Sequence, residues 1–187
     1  MRNSSTMTPS DKVTFAKIWA THAPHKAKIT VWRTLRNRLP TCNNLKKRNI
    51  PLDEVDSMCN ACFSHNESIN HVFLRCQKTE MVWDELQNWL GTTTVRPNQV
   101  STHFSTFSNL GKGKRSGKFL ASMWMCTIWQ LWKERNDSRF EGKQRDVKSM
   151  IAEIKTRMWS WNKIFDLLDQ EQNLSLWCSQ EISTRIV

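Results

Sequence analysis

Tyrosine is missing from this chain of 187 residues although ten tryptophans are present, and cysteine is limited to six. Six thiols in a chain of this length are too few for a disulfide scaffold, and no leader with a basic start, an apolar middle and a small-residue cleavage site opens the sequence. The expected setting is reducing and intracellular, nucleus or cytoplasm, without secretion. Long apolar runs are also scarce. The most apolar stretch, Phe119 to Trp132, contains Thr127 and Gln130 and falls short of the roughly 20 residues a bilayer-spanning helix needs, so no membrane partner is expected. A phosphate-binding loop is lacking too: GKGKRSGK at 111–118 contains no Gly-Lys-Ser/Thr, and no strand precedes it. Nothing marks a small-molecule substrate. The tryptophans read as core residues, because each offers a large apolar area and only one donor to satisfy.

What is abundant is positive charge, and it is unevenly spread. Lys and Arg number 28 against 17 Asp and Glu. Residues 1–50 hold 11 basic residues and 1 acidic one, whereas residues 51–100 hold 3 and 7. Residues 101–150 return to excess base, with 10 against 4. Single-sign blocks of this kind concentrate polyanions, so the expected partner is nucleic acid, RNA or DNA. A solvated basic face that merely keeps the protein soluble would look the same.

Hydrophobic content of 39% suffices for one ordinary core and a second small one. Residues 1–14 are expected to be disordered, being small and polar at their start. Ile29, Trp32, Leu35 and Leu39 recur at helical spacing among Lys26, Lys28, Arg33, Arg36 and Arg38, which predicts a basic amphipathic helix ended by Pro40. Thr41 is placed to cap a second short helix reaching Arg48. An apolar stripe from Val72 to Leu90 predicts one helix over about 69–90, stopped by Gly91. Residues 92–118, rich in Thr, Ser, Asn, Gly and Lys, read as a flexible linker. Beyond them the Trp-rich stretch forms one helix. Val147, Ile151, Ile154, Met158, Trp161, Phe165 and Leu168, alternating by 4 and 3, form the apolar seam of another. The seam most simply packs on the Trp-rich helix as a hairpin over 119–170. Its alternative use is a homodimer through residues 147–168. Residues 171–187 are left as a tail.

The chemistry-bearing constellation is Cys59-x2-Cys62-x8-His71-x4-Cys76. Zinc accepts tetrahedral sulfur and nitrogen ligands, and two close pairs joined by a loop are how a short chain supplies them. Four protein ligands leave no position for water, so one structural Zn2+ is expected rather than a hydrolytic one. The competing reading makes Cys59 and Cys62 a redox pair and Cys76 a core thiol, but MCNACFSH does not resemble the strand-to-helix setting such a pair needs. His65 lies close behind Cys62 and is expected to be a loop residue. Cys42, Cys126 and Cys178 read as ordinary thiols, and His22, His25 and His103 as surface groups.

The run VWRTLRNRLPTCNNLKKRNI, then CNAC, ESINHVFLRC and VWDELQNWLG, resembles the zinc-binding region on the C-terminal side of reverse transcriptases in plant non-LTR (LINE-type) retrotransposons. The resemblance spans about residues 15–91, and IWQLWKERNDSRFEG is similar to a segment that often follows this region. It implies that Cys59, Cys62, His71 and Cys76 are the zinc ligands. Cys42 stands where the family usually has a polar residue such as Asp. The resemblance does not bring an enzyme with it. No aromatic-x-Asp-Asp motif occurs to hold two metal ions, the nearest approach, Phe165 to Asp169, has the wrong spacing, and residues 92–187 look helical rather than like a ribonuclease H sheet with its acidic set.

The expectation is therefore a mostly α chain: a zinc-stabilised helical module (15–91), a linker (92–118) and a C-terminal helical hairpin. It is expected to be non-catalytic and to bind nucleic acid through Lys26, Lys28, Arg33, Arg36, Arg38, Lys46, Lys47 and Arg48. The alternatives are a protein-interaction module built on the heptad seam, or a retroelement relic without selected activity.

Overall fold

The computed structural model describes residues 8–166 apart from His22 and Lys112, with backbone only for Pro9, Ser10, Lys114 and residues 162–166. Expectations for residues 1–7, for His22 and for residues 167–187, with Leu168, Cys178 and the tail, lie outside the described residues, as does the Phe165 side chain.

The fold is mostly helical. Helix α1 (Pro9–Trp19) starts within the stretch expected to be disordered. It is fixed by a reciprocal capping box, in which Thr8 Oγ1 accepts from the Asp11 N–H and an Asp11 carboxylate oxygen accepts from the Thr8 N–H, both at 3.1 Å. Phe15 and Ile18 then turn inward. Helix α2 (His25–Leu35) follows Pro24, and α3 (Cys42–Lys46) and α4 (Glu54–Ser57) are short. Between α2 and α3, Asn37 takes a left-handed φ of 51°, a conformation that Asn tolerates better than most residues. Its carbonyl and side-chain oxygens both accept from the buried Asn44 amide.

The single helix expected over 69–90 is broken. A π turn (His71–Arg75) leads into Cys76, which is extended (φ −69°, ψ 132°) and serves as N-cap of α5 (Gln77–Trp89). Val72 and Phe73 carbonyls near the break accept from Thr79 Oγ1 and from the Trp83 indole, both at 2.8 Å. These two bonds answer the demand of buried carbonyl groups for partners.

Residues 92–118, expected as a linker, contain α6 (Val100–Ser108). Val100, Phe104 and Phe107 are buried there, with Phe104 edge-on to Trp124 and Phe107 edge-on to Trp83. The Thr/Ser-rich composition hid a helix whose apolar residues recur at helical spacing. Helix α7 (Lys114–Glu141) ends on Gly142, whose left-handed φ of 66° closes it, and α8 (Val147–Asp166) turns back along it. Among the described residues no strand forms, only an isolated bridge between Met58 and Asn66.

The N-terminal module and the hairpin share one core. Helix α7 packs against α1, α2, α6, the π turn and α8, and Ile18, Val31, Phe73, Trp83, Trp124, Ile128 and Ile154 belong to a single buried cluster. Trp83 and Trp124 are fully buried and Trp161 nearly so, whereas Trp19 and Trp159 stay exposed. Along α8, Ile151, Ile154, Met158 and Trp161 are buried within the chain. That stretch of the seam therefore offers no face to a second copy. No helix among the described residues is long and apolar enough to cross a membrane.

Candidate metal centre and basic surface

Cys59, Cys62, His71 and Cys76 come together, with their ligand atoms all within 4.8 Å of one another. Two local devices bring this about. The loop carrying Cys59 and Cys62 folds as a tight knuckle: the Phe63 N–H reaches the Cys59 carbonyl at 2.8 Å, and Phe63 takes a left-handed φ of 52°. The Cys59 N–H and the Glu67 N–H close its base on the His65 and Ser57 carbonyls. On the other side the π turn sets the Cys76 N–H on the His71 carbonyl at 2.8 Å, so a five-residue separation returns the two side chains to one side.

The donor set fits a tetrahedral thiophilic cation. Cys59 Sγ and Cys76 Sγ are 3.9 Å apart, and Cys62 Sγ is 3.3 Å from His71 Nε2. With Zn–S near 2.3 Å and Zn–N near 2.0 Å, tetrahedral edges are about 3.8 Å between sulfurs and about 3.5 Å between sulfur and nitrogen. Cys59, His71 and Cys76 are buried and Cys62 half-buried. Cys59 donates to Cys76: that hydrogen bond, and then burial, push the Cys59 thiol up to about 12, while the same bond holds Cys76 below the usual thiol range. A divalent cation displaces the thiol proton, which couples metal uptake to pH and folding. The cluster is consistent with one structural zinc. His65 is exposed, as expected of a loop residue, and its ring stacks on that of His71 with centroids 5.2 Å apart.

Three residues supporting this centre carried no warning in the sequence. Glu67 is fully buried and accepts from the Cys42 N–H at 3.1 Å, capping α3 in place of Thr41, whose hydroxyl makes no cap hydrogen bond. Arg135 of α7 grips the same carboxylate through Nε and Nη2, at 2.9 and 2.6 Å. Arg139, one turn on, donates to Asn60 and to the Asp56 carbonyl. Cys42, read as an ordinary thiol, is buried with its Sγ 3.3 Å from both the Asp56 carbonyl and Glu67. Burial first, and then the neighbouring Glu67 carboxylate, push its thiol up. His103, expected at the surface, is 1% exposed and accepts from the Trp124 indole at 2.9 Å. Cys126 is buried, and desolvation pushes its thiol up to about 12.

Residues 3–83 match the protein family described as zinc-binding in reverse transcriptase. The match covers that zinc-binding region and not the catalytic domain, and it ends inside α5. Comparison with curated proteins and with solved structures gave no match.

The nominated cations divide by position. Lys26, Arg33, Arg38, Lys46, Lys47 and Arg48 are exposed on α2, α3 and the turns that follow them. Lys28 is not: it is buried, and its Nζ donates to the Trp19 carbonyl at 3.2 Å, bracing α1 against α2. Arg36 is half-buried and lies 3.8 Å from Asp11, the sole acidic residue of the first fifty. Arg48 Nη2 reaches the Arg38 carbonyl, which brings the end of α3 beside the end of α2.

Proposed function

We propose that this chain is a non-catalytic, zinc-stabilised nucleic-acid-binding protein derived from the reverse transcriptase of a plant non-LTR retrotransposon. The observation that supports it best is the exposed cation surface of α2, α3 and their flanking turns. Among the described residues Lys26, Arg33, Lys46 and Lys47 have no acidic partner. Unpaired surface cations in this density make phosphate contacts that carry affinity and little sequence information. Zinc acts at a distance here, by fixing the loop whose Glu67 accepts from the first N–H groups of α3. The family match at residues 3–83 and the fit of IWQLWKERNDSRFEG, which supplies Arg135 and Arg139 to the zinc loop, support the retroelement origin.

The test is binding of single-stranded RNA across a series of salt concentrations. The logarithm of affinity should fall with the logarithm of salt by about 0.7 per phosphate contacted. Replacing Arg33, Lys46 and Lys47 together with Gln should flatten that slope by about two while zinc content is unchanged. Equal affinity of parent and variant at every salt concentration would reduce the surface to a solubilising face.

A further inference from the structure

A polar groove of about 350 Å³ lies where α2 ends, α3 begins and α6 starts. That volume falls within the range of small-ligand sites. Its lining is unusual for its carboxamides: Asn37, Asn43, Asn44, Asn70 and Gln99, with the exposed Lys47 among them. Asn44 is committed to the turn before α3, donating to Asn37 and to the Leu39 carbonyl. Asn70 Oδ1 accepts from the Val100 N–H at 3.3 Å and so pins the start of α6 beside the π turn. Asn43 and Gln99 are different. Gln99 stands at the N-cap of α6 without making a cap hydrogen bond, and among the described residues neither side-chain amide has a partner.

We infer that this groove receives a nucleobase of a single-stranded nucleic acid, read by the side-chain amides of Asn43 and Gln99 while Lys47 holds the adjoining phosphate. The inference rests on the nucleic-acid reading above and adds base recognition to it. A carboxamide presents a donor and an acceptor side by side, which is the complement of a base edge, and such a bidentate pair discriminates between bases. An unstacked base of a single strand can enter a concave site, whereas a paired base cannot leave its helix without cost. The groove also adjoins the metal centre, since Ser68, another of its lining residues, accepts from the His71 N–H at 3.1 Å.

The experiment compares four labelled homopolymeric RNA dodecamers, of A, C, G and U, binding to the full chain at several salt concentrations. The parent should prefer one base by about tenfold or more. The double variant Asn43→Ala/Gln99→Ala should bring the four affinities to within about threefold with an unchanged salt slope, zinc content and melting temperature. Single-residue variants at Asn43 and Gln99 serve if the pair does not fold, each lowering the preference partway. A parent that binds all four equally, or a folded variant that keeps the preference, overturns the groove while leaving phosphate binding intact. A parent that binds none of them overturns both readings.

Discussion

Glu67 and Arg135 form a buried ion pair across 68 residues of sequence, with Arg135 Nη2 2.6 Å from Glu67 Oε1 and Nε 2.9 Å from Oε2. The pair ties the zinc loop and the cap of α3 to the C-terminal part of α7. Burial would raise the Glu67 carboxyl, but the hydrogen bonds and charge of Arg135, with the Cys42 contacts, hold it below the ordinary carboxylate range. Arg135 also lies over the Trp132 ring at 4.9 Å, a cation–π contact that fixes its direction.

Glu67→Gln should therefore destabilise the protein by about 3–5 kcal/mol, because it leaves a buried guanidinium uncompensated. The double variant Glu67→Gln/Arg135→Met should cost clearly less than the two single changes added together. Denaturant titrations of all four proteins measure this coupling. Strict additivity would mean that the pair does not act as a unit.

The metal centre yields a second prediction. Purified protein should carry one zinc, lost in Cys59→Ser and in His71→Ala and retained in Cys126→Ser, whose thiol lies buried against the Ile154 carbonyl far from the centre in sequence. Elemental analysis decides it, and stoichiometric zinc in the His71 variant would remove that residue from the ligand set.

The four candidate ligands were legible because their chemistry is written in residue type and spacing, and the helical class because apolar residues recur at helical period. What stayed hidden was set by tertiary partners. A π turn cannot be read from HVFLRC, since the stripe through Val72, Phe73 and Val82 suits an unbroken helix equally well. Helix α6 was obscured by Ser and Thr, although Phe104 and Phe107 bury it. Lys28 looked like its exposed neighbours until Trp19 placed a carbonyl above it, and Glu67 and Arg135 could find each other only in the fold.

The shared core bears on cooperativity. Ile154 is fully buried in the cluster that also holds Phe73 and Trp83. Ile154→Asp should lower stability by several kcal/mol, because it buries an unpaired carboxylate. Chelation of the metal should lower the same single transition instead of melting residues 15–91 ahead of the hairpin. Helicity and tryptophan fluorescence followed together on heating test this. Separate transitions in the two signals would show independent units.

His103 supplies a pH dependence of definite sign. Its Nδ1 accepts from the Trp124 indole, its Nε2 is buried with no partner among the described residues, and its ring meets Trp83 edge-on with centroids 4.6 Å apart. Desolvation, and then the charge of Arg96, lower its value to about 4. An unfolded-chain histidine titrates near 6.5, so between these values the unfolded state binds a proton that the native state refuses. The stability due to neutral burial is complete above about pH 6.5 and is lost as pH falls toward 4, by about 3 kcal/mol in all. Zinc release and Glu67 protonation also weaken the fold in acid, so the informative quantity is the difference between parent and His103→Gln. That variant should be less stable than the parent at pH 7, and its deficit should shrink steadily as pH falls to 4.5. A deficit that stays constant with pH would show that His103 titrates alike in the folded and unfolded chain.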